Sequence, residues 1–134
     1  MAVLALTNAS ITIGGTDVSA LANSVSLNYE IDQVEATAFT GNHVFIGGLQ
    51  NNSVEITLLQ DFAATKTEAT IYPLVGTQTT IVIIPVNAAV STSNPRYTIS
   101  NAFISSHTPV AAKVGELAQT TITATGGTLV KTTA

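Results

Sequence analysis

The ten residues Asn23–Asp32, NSVSLNYEID, decide how this chain folds. Val25, Leu27, Tyr29 and Ile31 alternate with Ser24, Ser26, Asn28, Glu30 and Asp32. Successive side chains of an extended strand leave opposite faces, so this order sets an apolar face against a polar one. The stretch reads as a strand with one side buried.

The same alternation recurs downstream, where Val54, Ile56 and Leu58 sit between Ser53, Glu55 and Thr57. This second strand ends near Asp61 and is expected to pair with the first. Between them lies TAFTGNHVFIGGLQ, Thr37–Gln50, within a connection of roughly 15 residues, longer than most loops in a compact domain. Gly47-Gly48 is expected to be its bend. Upstream, SITI and DVSAL flank Gly14-Gly15 as a hairpin would.

Downstream, TKTEATIYPLVG is the one helical segment. Thr65 or Thr67 is the expected N-cap, Glu68 falls in the first turn, Ile71, Leu74 and Val75 form an apolar stripe, and Gly76 closes the end. Pro73 lacks an amide donor and keeps the helix short. TTIVIIP is apolar on both faces, as a strand covered by the helix on one side and a second sheet on the other would be. Tyr97–Ser106, Leu117–Thr125 and Thr128–Thr132 complete the set, the last two joined as a hairpin at Gly126-Gly127. The fold expected is mainly β, a β-sandwich or partial barrel of about seven strands with one short flanking helix, in a single domain spanning 1–134.

Composition narrows the function. Only 9% of the 134 residues are charged, against roughly 25–35% on an ordinary soluble surface. Mean hydropathy is +0.41. A membrane helix needs about 20 continuous apolar residues, and the longest clean run here is IVIIPV, Ile81–Val86. The opening MAVLAL is short and carries no positive leader, so no signal peptide is expected. Apolar surface without a membrane to explain it points to other protein subunits. Net charge is −4, and the four basic residues Lys66, Arg96, Lys113 and Lys131 are dispersed, which makes no track for a phosphate backbone.

Signs of chemistry are sparse. The absence of cysteine excludes disulfides, thiolate metal sites and a cysteine nucleophile. His43 has no second ligand at metal-binding spacing and reads as a loop residue. His107 follows Ser105 and Ser106, but no G-x-S-x-G elbow is present, so it reads as a strand end. Glu30 and Asp32, with Glu55 across from them, read as a solvated acidic stripe, because nothing suggests the burial that tunes a catalytic acid. The three Gly-Gly pairs fit no phosphate-binding pattern and read as turns. No catalytic, cofactor or metal site is expected.

Four patches in order carry a family resemblance: DQVEATAFTG; GGLQNNSVEITLLQDF; TEATIYPLVGT feeding TIVIIP; and NPRYTISNAFISSHTPVAAKVGELAQTTITATGG. Together, from about Asp32 to Gly127, they resemble the major tail-tube proteins of long-tailed bacteriophages, a family related in fold to contractile-tail and type VI secretion tubes. The immunoglobulin-like extension of longer members is not part of this sequence.

The resemblance implies a non-enzymatic virion subunit, made in the host cytoplasm, that forms hexameric rings stacked into a tube whose β-barrel lumen conducts DNA. Tape-measure and terminator proteins would be its partners, with no membrane involved. In that setting Glu30, Asp32 and Glu55 are expected to face the lumen, where negative charge repels phosphate. Phe39, Val44, Phe45, Ile46 and Leu49, with His43, Gly47 and Gly48, are expected to dock on the adjacent ring. Competing readings are a terminator or distal-tail subunit, or a small β-sandwich binding or adhesion module. The last is weakened by the lack of tryptophan and the 5% aromatic content.

Overall fold

A computed structural model describes residues 8–39, 41–62, 67–110 and 112–133. The opening MAVLAL, the candidate cap Thr65 and the basic Lys66 lie outside the described residues. The fold is mainly β with one short helix, as the alternation predicts. The described residues form ten strands rather than seven. Two of them answer to no strand expected from the sequence: the stretch 23–32 ends as a strand at Asn28, and Ile31 opens a further pair that runs through the expected loop.

The strands are β1 (Ser10–Ile13), β2 (Thr16–Asp17), β3 (Ala22–Asn28), β4 (Ile31–Glu35), β5 (Phe45–Gln50), β6 (Ser53–Leu59), β7 (Gln78–Ile84), β8 (Arg96–His107), β9 (Gln119–Thr125) and β10 (Thr128–Thr132). Helix α1 (Thr67–Ile71) follows β6 and passes into a 3₁₀ turn, Tyr72–Leu74, that contains Pro73. The main sheet runs β2-β1-β7-β8-β9-β6-β3, with β10 also on β8. Among the described residues its path is open and no barrel closes.

Only the first half of the opening stretch takes its expected place: the strand ends at Asn28, and Tyr29 and Ile31, expected on its buried face, are exposed. β3 pairs antiparallel with β6, Val25 opposite Ile56 and Leu27 opposite Val54. β6 then pairs with β9, Ile56 opposite Ile122 and Val54 opposite Ala124. Val54, Ile56, Leu58, Ile122 and Ala124 are buried, and Val25 and Leu27 pack on them from the sheet edge. Burying a Val, Leu or Ile side chain contributes about 1.5–3 kcal/mol, so this alternation supplies one wall of the core. β1, β7 and β8 supply the other through Ile11, Ile13, Ile81, Ile83 and Ile99.

Two details of β8 depart from simple alternation. Ile99 points into the core, yet so do Ala102 and Ile104, a change of parity that strict period two forbids. Asn101, at φ +60°, absorbs the extra residue, since asparagine tolerates the left-handed region better than most side chains. The second detail is Gly126-Gly127, which is not a hairpin turn. β9 and β10 both pair antiparallel with β8, through Phe103–His107 and Arg96–Ser100 respectively, so they run in the same direction. The diglycine is a kink between them, and a Cβ on Gly127 would collide with the Ser100 carbonyl oxygen. Gly14-Gly15, by contrast, does turn a hairpin, joining Ile13 to Thr16 with both glycines at positive φ.

The helix is shorter than expected and does not blanket β7. Ile71 is buried in the core and Leu74 packs on it, while Val75 is exposed and off the stripe. With Pro73 ending the turn, the element reaches over only one end of the core. Val82 and Ile84, on the face of β7 opposite the buried Ile81 and Ile83, are half-buried rather than covered, Val82 beside Thr12 and Thr98 and Ile84 beside Ser10 on neighbouring strands.

Candidate functional site

The stretch read as a long loop is a hairpin that leaves the body. β4 and β5 pair only with each other, as a separate two-stranded sheet, with Val34 opposite Ile46 and Glu35 opposite Phe45. Gly47 and Gly48 lie inside β5, not at a bend, and correct that expectation. Gly48 lets the strands approach, since a Cβ there would press on Val34 Cγ2 and the Asp32 carbonyl at 3.0 and 3.2 Å. Described residues on both sides of the tip close the turn. Ala36 N donates to Val44 O at 2.8 Å, and Val44 N donates to Thr37 Oγ1 at 3.2 Å.

This hairpin is apolar and open to solvent. Ile31, Val34, Phe39, Val44, Phe45, Ile46 and Leu49 are all exposed, Phe39 and Leu49 almost completely, and so is Tyr29 just before the hairpin. An isolated two-stranded ribbon is marginal in water, so its outward apolar residues call for a partner. His43 stacks on Phe45 with ring centroids 6.4 Å apart and stands 3.3 Å from Glu35 Oε2. Both groups are well exposed, and such pairs contribute little. His43 is a tip residue that orders the ribbon locally.

What fixes the hairpin to the body is Asn52, a residue that the sequence reading did not single out. Its side chain is 0% exposed. Nδ2 donates to Gln50 Oε1 at 2.9 Å and to Gly127 O at 3.3 Å, and Oδ1 accepts from Glu30 N at 3.4 Å. Gln50 Oε1 also accepts from Leu129 N at 3.1 Å, and Asn52 O accepts from Gly126 N at 2.9 Å. One buried amide thus ties the hairpin base to the diglycine kink. The signal in the sequence was the polar run Gln50-Asn51-Asn52 where alternation lapses.

The face of β3, β6 and β9 that turns away from the core is lined by hydroxyls. Ser26, Glu55 and Thr123 stand side by side across it, flanked by Thr57 and Thr121. Glu55 is its exposed carboxylate. Glu30 borders the same face, where Asn28 Nδ2 donates to its Oε2 at 3.2 Å. Asp32 lies further out, on β4. The three acidic residues therefore do not line up on one pair of strands: Glu55 lies opposite Ser26, and Glu30 beside Asn51.

Other polar groups do not converge. His107 ends β8, and its Nδ1 lies 2.9 Å from the buried Thr120 Oγ1, distant in sequence from His43 and the hairpin. Asp17 accepts from the Ser19 hydroxyl and amide, which holds its carboxyl below the usual 3.8. Among the described residues no group of three His, Cys, Asp or Glu side chains is placed to hold a metal ion. No helix among them is long and apolar enough to cross a membrane.

No family model matches the chain, and no curated protein matches it. Solved structures do. A chain of the PVC sheath–tube complex, from an extracellular contractile injection system in its extended state, is 20% identical with a TM-score of 0.70, covering 95% of this chain and 89% of that one. The PVC sheath/tube terminator structure is 19% identical with a TM-score of 0.72, covering 96% and 95%. The tube-terminating cap of the anti-feeding prophage is 22% identical with a TM-score of 0.69, covering 95% and 89%. At these identities the likeness is one of fold. The chain shares that fold over nearly its whole length.

Proposed function

We propose that this chain is a structural subunit of a phage-type tail tube, assembling into stacked rings, six-fold as in the family it resembles. The observation that carries the reading is the exposed hairpin: seven large apolar side chains on a two-stranded ribbon that pairs with no other strand among the described residues. The shared fold with tube, terminator and cap assemblies supports it. So does the 9% charge content, because a subunit gripped within its ring and by rings above and below has little surface left for water.

The open sheet suits ring closure. Among the described residues β3 is bonded on one side only, and an unpaired edge in a threonine- and valine-rich sheet invites aggregation unless a neighbour covers it. In the ring, the hydroxyl face of β3, β6 and β9 forms the lumen wall. Glu55 and Glu30, with Asp32 toward the ring's rim, repel the phosphates of passing DNA while the hydroxyls hold water. The hairpin residues Phe39 and His43–Leu49 dock on the adjacent ring. The subunit performs no reaction. Its place is the virion tail, with tape-measure and terminator proteins as neighbours.

Negative-stain microscopy of the purified protein tests this directly. Tubes or six-fold rings are expected; a protein that stays monomeric at high concentration would mean an isolated binding module instead. A terminator role is the second reading, favoured by the near end-to-end match with the sheath/tube terminator structure. It predicts single rings that do not elongate.

A further inference from the structure

Exposed apolar side chains gather at a second place, at the opposite end of the ladder that carries the hairpin. β6 begins at Ser53, beside the hairpin base, and ends at Leu59; at about 3.3 Å per residue its ends are roughly 20 Å apart. Beyond Leu59, Gln60 N donates to Ala118 O at 3.0 Å, and Gln60 Nε2 donates to Pro109 O. These two bonds gather Phe62, Val110 and Leu117 around one corner, each two-thirds exposed or more. Val114 and Lys113, in the loop between Val110 and Leu117, are exposed as well.

We propose that this corner is the receiving surface for the β4–β5 hairpin of a second copy. The inference rests on the tube reading and adds to it the far side of the contact. Two different apolar surfaces at opposite ends of one paired ladder cannot both be covered by a two-fold dimer of hairpins. A head-to-tail contact covers both at once and repeats indefinitely.

The hairpin, Ile31–Gln50, carries Asp32 and Glu35 and no lysine or arginine, so hairpin against hairpin would oppose carboxylates to carboxylates. The corner carries Lys113 together with Asp61 and Glu116, so what it offers the hairpin is chiefly its apolar surface. Size is adequate too: the hairpin's seven exposed apolar side chains, at on the order of 100 Å² each, approach the roughly 800 Å² per partner of a standard interface. The polymer is then polar, with a free hairpin at one end and a free corner at the other.

The natural absence of cysteine makes the test clean. Full-length single-cysteine proteins are made at hairpin positions (Phe39→Cys, Phe45→Cys, Leu49→Cys) and at corner positions (Phe62→Cys, Val110→Cys, Leu117→Cys). They are mixed pairwise under assembly conditions, treated with a short bis-maleimide and resolved by intact mass. The expected result is hairpin-to-corner products at least tenfold above hairpin-to-hairpin products for one or more pairs. Assemblies that form with hairpin-to-hairpin links dominant, or with no hairpin-to-corner link, overturn the inference and leave the tube reading standing. A wild-type protein that never assembles removes both. As a second arm, Val110→Glu is expected to raise the concentration needed for elongation at least tenfold while the monomer's melting temperature stays unchanged; unaltered elongation counts against the corner.

Discussion

Replacing Asn52 by alanine removes the amide that ties the projecting hairpin to the body, and its cost follows from the geometry. The side chain is fully buried and makes three hydrogen bonds, at 2.9, 3.3 and 3.4 Å. A typical bond contributes about 0.5–1.5 kcal/mol net. The two longer ones belong at the lower end of that range, giving roughly 2 kcal/mol for the set. The space left by the amide adds on the order of 1 kcal/mol. A loss of about 3 kcal/mol corresponds to a melting temperature lower by roughly 10 °C in a domain of this size. Denaturant and thermal unfolding of the dilute protein measure it, and hydrogen exchange at Gly126 and Leu129 reports the kink directly.

Asn52→Asp is a sharper probe. It keeps the shape but sets a carboxylate against Gln50 Oε1 and Gly127 O, both acceptors, so it is expected to cost more than alanine at neutral pH and to recover on acidification. A change under about 0.5 kcal/mol for Asn52→Ala, or no pH dependence for Asn52→Asp, would refute the reasoning, since surface substitutions alone move stability that little.

Other outcomes follow from single sites. Gly127→Ala is expected to destabilise by well over 1 kcal/mol, because the methyl meets the Ser100 carbonyl at a positive φ, whereas Gly126→Ala meets open space and carries only the backbone cost; chemical denaturation compares the two. Ile104→Ala, at a fully buried position, is expected to lose about 2–5 kcal/mol, against less than about 0.5 for Leu49→Ser on the hairpin. Phe45→Ser with Ile46→Ser is expected to give a folded monomer that cannot elongate, and normal tubes in the microscope would sink the docking idea. Asp17, whose folded pKa is depressed by Ser19, contributes stability above its unfolded value near 3.8 that is lost as pH falls through the lower folded value. Asp17→Asn should therefore flatten the acid limb of the stability curve, by a small amount because the carboxylate is exposed.

The alternation in SVEITLL, and in NSVSLN but not the YEID that follows it, determined its own strand, because side-chain direction along a strand is a local property. Which faces are buried followed from the same rule, and the shortage of charge, needing no structure, pointed to assembly. Tertiary structure alone decided what the glycines do. Gly126-Gly127 and Gly14-Gly15 are alike in sequence and both adopt positive φ, yet only the latter turns a hairpin. The former becomes a kink because β8 is 12 residues long and offers one edge to both β9 and β10. The parity change at Asn101 is hidden for the same reason, since it matters only relative to neighbours distant in the chain. The hairpin's departure from the body depends on Asn52 meeting Gly127, 75 residues away, a contact that no local pattern encodes.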